Sequence, residues 1–209
     1  MTEFLSVAVR HDAELVVERS RFIACCTYVE TEADFAAFLK EVKRQYTGAT
    51  HYCTAFELAP GEHIARFSDD GEPSRTAGLP ILEVLQGRGL HRTAVVVVRY
   101  FGGVKLGTGG LVRAYGDAAA LTLDGAQKQR FVPSAAFTLT CPYPLLPSVE
   151  RALKDADAAV SKQEYGEQVT LSAACPLSAF APLKETLKEL ASGKELLENI
   201  TETLKPYTV

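Results

Sequence analysis

The sequence predicts an α+β protein with two domains, residues 1–132 and 133–209. In the first part of the chain, short β-branched runs and amphipathic stretches surround a strongly apolar strand at residues 94–98, which is typical of a central strand. The second part follows the order strand, helix, strand, strand, helix, strand, which is the ferredoxin-like βαββαβ pattern. A chain of 209 residues is long enough for each part to bury a core of its own.

Turn residues and periodicity define the elements of the first domain. Thr31-Glu-Ala-Asp34 resembles a capping box and precedes an apolar stripe at helical spacing, so a helix starts there. Pro80 is predicted to open a second helix. Proline has no amide hydrogen, and the amides of the first helical turn have no partner within the helix, so nothing is lost there. The predicted strands are residues 14–17, 22–29, 51–58, 63–67 and 94–98, and the predicted helices are 31–46, 80–86 and 108–123.

The polar residues 125–133 are predicted to form a connector. Prolines at 142, 144 and 147 mark the first loop of the second domain, and Ser192-Gly193 ends its last helix. In this domain we expect strands at residues 136–141, 160–164, 168–174 and 195–203, with helices at 147–158 and 178–190.

Composition narrows the classes of function. The net charge is −4, and no window approaches the ~18 uncharged apolar residues of a membrane span. The N-terminus has no secretory pattern, and the five cysteines form no CxxC pair. We therefore expect a reduced, cytoplasmic protein that needs no metal and no cofactor.

The charge is unevenly distributed along the chain. Residues 84–116 contain five basic residues and no acidic one, whereas residues 147–209 contain seven basic and ten acidic residues. An anionic partner is therefore expected to meet the first domain.

A glycine-rich basic stretch follows the predicted central strand and leads into a helix. Unpaired amides and the aligned peptide dipoles make a helix start attractive to anions, and glycines let an anion approach the backbone. The spacing matches neither GxxxxGK[ST] nor the dinucleotide GxGxxG. The alternative, that these glycines only permit tight packing, stays open. The candidate anion- or nucleic-acid-binding residues are Arg99, Lys105, Gly107, Thr108, Gly109, Gly110 and Arg113.

A second candidate is the acidic turn, residues 68–73, with Asp69, Asp70 and Glu72. Its carboxylates could bind a metal or act as an acid/base pair, although the spacing of a calcium loop is absent. The interpretation we favour is structural: they accept backbone amides or pair with Arg99 or Arg113.

His51 and Cys53 lie on one face of a predicted strand. A Cys–His nucleophile pair would need an orienting group and an oxyanion hole, and the sequence indicates neither. We therefore predict no catalytic residue, and group His51 with the structural or acid/base candidates.

Several long strings resemble the IMPACT/YigZ family. They are Ser20-Arg-Phe-Ile-Ala, His51-Tyr-Cys-Thr-Ala-Phe, Phe67-Ser-Asp-Asp-Gly-Glu-Pro-Ser, Val97-Val-Arg-Tyr-Phe-Gly-Gly and Leu106-Gly-Thr-Gly-Gly-Leu-Val-Arg-Ala-Tyr. The resemblance implies a first domain like the second domain of a small-subunit ribosomal protein. It also implies a second domain like one from the translocation elongation factor. Arg75 departs from the pattern, because the family usually has a small residue there.

The resemblance also implies a role in translation. Eukaryotic members regulate translation by competing for the activator of an initiation-factor kinase, and RNA or ribosome binding is commonly proposed for bacterial members. We therefore expect a non-enzymatic protein that binds RNA or the ribosome through the first domain. The alternatives are an enzyme for a small phosphorylated or nucleotide ligand at the same place, and a regulator that binds a protein.

Overall fold

The computed structural model describes residues 1–58, 60–61 and 64–208. These residues divide into two units, which consist essentially of Phe4–Arg130 and Phe131–Tyr207. Both units combine helices with an antiparallel sheet, so the predicted α+β class is confirmed.

The first unit is built on a five-stranded sheet. Its strands are β2 (His11–Val17), β3 (Ser20–Tyr28), β4 (His51–Glu57), β5 (Ala65–Ser68) and β6 (Thr93–Tyr100), preceded in the chain by β1 (Phe4–Val7). They lie in the order β2-β3-β6-β4-β5, with every neighbouring pair antiparallel. The most apolar run of the sequence does form the central strand, β6, and its first seven residues are buried.

Helices cover both faces of this sheet. Ile23, Cys25 and Val96 pack with α1 (Glu32–Gln45) on one face. On the opposite face, Ala24 and Val97 pack with α2 (Gly78–Gly87) and α3 (Gly107–Gly125). The alternation follows from the two-residue period of a strand.

The capping box predicted at the start of α1 is confirmed. Thr31 Oγ1 accepts the Asp34 amide at 3.1 Å, and the Asp34 carboxylate accepts the Thr31 amide at 2.9 Å. Helix α2 starts at Gly78, two residues before the predicted Pro80, and its first amide donates to the carboxylate of Asp69, which lies outside the helix.

Two parts of the first unit differ from the expectation. The predicted connector at residues 125–133 is largely strand, because β7 (Lys128–Cys141) already begins within it. Its polar side chains are used locally: Lys128 Nζ donates to the carbonyls of Leu123 and Ala126, and Gln129 Nε2 donates to the Val7 carbonyl. β1 is too short to give a sequence pattern. Of the predicted strand at 63–67, His63 lies outside the described residues.

The second unit has the predicted ferredoxin-like order. After β7 its helices and strands are α4 (Leu146–Asp155), β8 (Ala159–Tyr165), β9 (Val169–Pro176), α5 (Leu177–Leu190) and β10 (Leu197–Thr208). The strands pair as β10-β7-β9-β8, with β7–β9 and β8–β9 antiparallel. The helices pack on one face, where Val149, Leu153 and Leu187 meet Leu139 and Leu171. Within the described part of the chain, no helix is both long and apolar enough to cross a membrane.

Candidate functional site: a buried carboxylate and an exposed glycine loop

The sequence candidates collect at one end of the first unit. His51 begins β4, and the acidic turn (residues 68–73) connects β5 to α2. Arg99 lies near the end of β6, and the loop that follows leads to the first turn of α3. We call residues 101–110, which span that loop and that turn, the glycine loop. The acidic turn and the glycine loop therefore share an end of the sheet, where Glu72 contacts Arg99.

Glu72 is the centre of a buried polar cluster. Its Oε1 accepts a hydrogen bond from Arg99 Nη1 at 2.5 Å and another from the Tyr115 hydroxyl at 2.7 Å. The side chains of Glu72 and Arg99 are only 4% and 6% exposed, so each charge is neutralised inside the protein. Burial raises the pKa of Tyr115, which keeps its hydroxyl protonated as the donor.

Two aromatic side chains, as well as Glu72, contact the Arg99 guanidinium. Its guanidinium carbon lies 5.4 Å from the ring centre of Phe22 and 5.5 Å from that of Phe101. Nη2 reaches Ser20 Oγ at 3.5 Å, while Nε is buried and has no hydrogen-bond partner among the described residues. Arg99 is therefore a buried cation that supports other residues rather than a surface contact.

Asp69 organises the loop between β5 and α2. One carboxylate oxygen accepts the amides of Ala77, at 3.1 Å, and Gly78, at 2.8 Å, and the other accepts the Arg75 amide at 2.8 Å. It thus serves the start of α2 in the way an N-cap side chain does, from eight and nine residues earlier in the chain. Arg75 itself is exposed and has a left-handed backbone, with φ of 62°.

Asp70 and His51 fasten the turn to β4. Asp70 Oδ2 accepts the Tyr52 amide at 2.7 Å, and His51 Nδ1 lies 2.7 Å from the Asp70 carbonyl oxygen. Because a carbonyl oxygen only accepts, Nδ1 carries the proton in this contact. His51 Nε2 then faces Glu72 Oε1 at 3.8 Å.

Cys53 does not have the properties of a nucleophile. The thiol donates to the Asp69 carbonyl oxygen at 3.0 Å and is completely buried. Burial raises the pKa of Cys53 to about 12, so the thiolate is scarce at neutral pH. His51 and Cys53 thus make separate contacts with the acidic turn.

The start of the glycine loop is fixed to the sheet. The Phe101 amide donates to Thr50 Oγ1 and the Gly102 amide to Ser20 Oγ, both at 3.1 Å. A Cβ on Gly102 would lie 2.1 Å from the Arg19 carbonyl carbon, so a side chain does not fit there. Gly103 and Gly107 have φ values of 86° and 71°, a conformation that favours glycine.

The far end of the loop is open to solvent. Lys105, Gly107, Thr108, Gly109 and Arg113 are exposed, and Gly110 is half-buried. Helix α3 begins at Gly107 without a capping hydrogen bond from the preceding side chain, Leu106, and without an acidic residue in its first turn. Gly109 has ordinary backbone angles and open space where a Cβ would stand, so packing does not require glycine at this position.

The structure thus separates the predicted residues into two groups. Asp69, Asp70, Glu72, His51 and Arg99 contact one another or the backbone, whereas Lys105, the α3 start and Arg113 face solvent. Sequence reasoning missed Tyr115, Ser20 and Thr50. The helical spacing of Tyr115 indicates only that its side chain faces the core. No sequence pattern links Tyr115 to Glu72. In the described residues, no three His, Cys, Asp or Glu side chains are grouped so that they could hold a metal ion.

Comparison with known proteins assigns this two-domain α+β chain to a family. Residues 18–123 match the Impact N-terminal domain, and residues 139–194 match a domain of unknown function, DUF1949. IMPACT family member YvyE of Bacillus subtilis is 36% identical over 91% of this chain and 88% of its own length. IMPACT family member YigZ of Escherichia coli is 35% identical over 89% of this chain and 92% of its own.

A solved structure described as that of a hypothetical protein has a TM-score of 0.64 and 32% identity, and the match covers 100% of this chain and 98% of the other. The chain belongs to the IMPACT family. This membership connects it with a family of translation-related regulatory proteins.

Proposed function

We propose that the protein is a non-enzymatic, translation-associated factor that binds RNA, on the ribosome or off it, through the glycine loop and Arg113. The observation that carries the proposal is the exposed, uncapped start of α3. The first-turn residues Gly107, Thr108 and Gly109 are exposed, the exposed cations Lys105 and Arg113 flank them in the chain, and Gly109 leaves room for an oxygen-rich ligand. Phosphate oxygens have the charge and the acceptor geometry for such a surface.

The contacts of the acidic turn favour binding over chemistry. Carboxylate oxygens of Asp69, Asp70 and Glu72 already accept hydrogen bonds from the protein, and the Cys53 thiol is protonated at neutral pH. Arg99 is left out of the binding surface because its guanidinium is buried against Glu72. We expect the exposed cations and amides alone to meet the RNA, in the cytoplasm.

The test is the salt dependence of RNA binding, measured by fluorescence anisotropy with a labelled RNA. The logarithm of the binding constant falls linearly with the logarithm of the salt concentration, and each phosphate contact adds about one to the steepness of that fall. Lys105→Ala should therefore make the slope shallower by about one. Lys162→Ala is the matched control, because it removes the same charge from an exposed lysine in the second unit.

The expected result is a lower slope for Lys105→Ala and an unchanged slope for Lys162→Ala. Equal slopes for both variants and the unmodified protein would refute the proposed surface. Retention of a protein partner after nuclease treatment, with no RNA binding in solution, would support the protein-binding alternative instead.

A further inference from the structure

We infer that the RNA bound by the glycine loop is single-stranded there, and that one unpaired base stacks on the ring of Phe101. This inference rests on the proposed function, and it adds the structural class of the nucleic acid. It comes from the way in which the protein holds an exposed aromatic ring beside its exposed cations.

Phe101 is 48% exposed, yet its position is fixed. Its amide is tied to Thr50 and the next amide to Ser20, while Gly102 lies directly against the backbone of Arg19. A ring carried on such a backbone loses little further freedom when a ligand covers it. The ring is thus preorganised for contact.

Arg99 supports this ring from the protein side. The guanidinium carbon lies 5.5 Å from the Phe101 ring centre, and Glu72 holds the guanidinium in place. Because Arg99 is buried, the part of the ring that contacts it is not the part that meets solvent. The solvent-facing part stays available for a second planar group.

One exposed cation, Lys105, lies within reach of this ring. Lys105 follows Phe101 by four residues, so the two backbone positions are at most about 14 Å apart. An aromatic platform beside cations that track the phosphates is the combination used for single strands. In a duplex the faces of each base are covered by its neighbours, so Phe101 could reach a base only if that base left the stack.

Two variants test the inference with short RNAs that carry equal numbers of phosphates, an oligouridylate and a fully paired duplex. Phe101→Leu should weaken binding of the oligouridylate by about 5- to 150-fold and leave duplex binding unchanged. The chain has no tryptophan, so Phe101→Trp introduces a single indole whose emission the oligouridylate should quench and the duplex should not.

Leu121→Ala is the control, since Leu121 is 46% exposed and lies about 20 Å along α3 from Gly107. Its affinity for the oligouridylate should equal that of the unmodified protein. Salt-dependent binding that is unaffected by Phe101→Leu, with no quenching of Phe101→Trp, would overturn the stacking inference alone. Absence of binding to both RNAs would overturn the proposed function as well.

Discussion

The acidic turn and the glycine loop meet at one end of the same sheet, yet they use their polar groups in opposite ways. Oxygens of Asp69, Asp70 and Glu72 accept hydrogen bonds from Gly78, Tyr52 and Arg99, so the turn is an internal brace. The glycine loop is braced at its start, and beyond Gly103 its residues are exposed, except for Leu106 and Gly110, which are half-buried. The density of charged residues in the sequence therefore does not distinguish a binding surface from a cluster that stabilises the fold. The contacts that each charged group makes in the structure do distinguish them.

Removal of the Glu72 carboxylate should lower the free energy of unfolding more than any other change considered. Glu72→Ala leaves Arg99 charged and unpaired in a buried position, which costs about 3–5 kcal/mol of unfolding free energy. The measurement is urea unfolding, with hydrogen exchange of the β6 amides assigning the transition to the first unit. Asp124→Ala is the control, because its carboxylate is 63% exposed and pairs with Arg88, so the loss should stay below about 1 kcal/mol.

The same cluster allows a double-mutant cycle. In an Arg99→Met background, Glu72→Ala should cost clearly less than in the unmodified protein, because no buried cation is left unpaired. Equal costs in both backgrounds would show that the pair does not act as a unit, and the description of the acidic turn as a brace would be wrong.

The two ends of the glycine loop should respond differently to an added methyl group. Gly102→Ala places Cβ 2.1 Å from backbone that cannot move easily, so we expect a loss of about 1–3 kcal/mol. Thermal unfolding followed by circular dichroism measures this loss. A fully stable Gly102→Ala protein would mean that the loop is not packed against Arg19.

Much of this arrangement could be predicted from the sequence, and the reasons for the rest are physical. The central strand, the capping box at Thr31 and the ferredoxin-like order follow from local periodicity and turn chemistry. The sequence also favours a structural role for the acidic turn, with Arg99 or Arg113 as its partner. The contact between Glu72 and Tyr115 spans 43 residues and depends on how the turn folds over α3, which no local pattern records.

Burial of Arg99 could not be predicted for a similar reason. In the sequence it is one of five cations without an intervening acid, and the predicted pairing with the acidic turn left Arg99 and Arg113 as equal alternatives. Only the folded chain shows that Glu72 pairs with Arg99 and that both side chains are buried. The start of the strand at Lys128 gives no apolar alternation, because residues 128–130 are all polar. Backbone carbonyls accept hydrogen bonds from the side chains of Lys128 and Gln129, which lets these residues lie in a strand.

Gly109→Ala tests the solvent-facing end of the loop. The methyl group meets open space and alanine favours the helix, so stability should rise by up to about 1 kcal/mol. If phosphate oxygens approach these amides, RNA affinity should fall in the same variant, as anisotropy would show. A gain in stability with unchanged RNA affinity would exclude Gly109 from the RNA contact. The contact would then lie closer to Lys105.

The smallest effect is expected at Arg75, which lies in the acidic turn's own loop but faces solvent. Its φ of 62° strains a residue that carries a Cβ, by roughly 1–2 kcal/mol, whereas glycine adopts this conformation without strain. Glycine also gives the unfolded chain more freedom, which offsets part of the gain. Arg75→Gly should therefore stabilise the first unit by about 0.5 kcal/mol in urea unfolding. Arg75→Ala is the matched control, because it removes the same cation but keeps the Cβ and should bring no gain. If both variants lower RNA affinity equally, the Arg75 charge extends the cationic surface of the glycine loop. If neither does, Arg75 belongs with the brace.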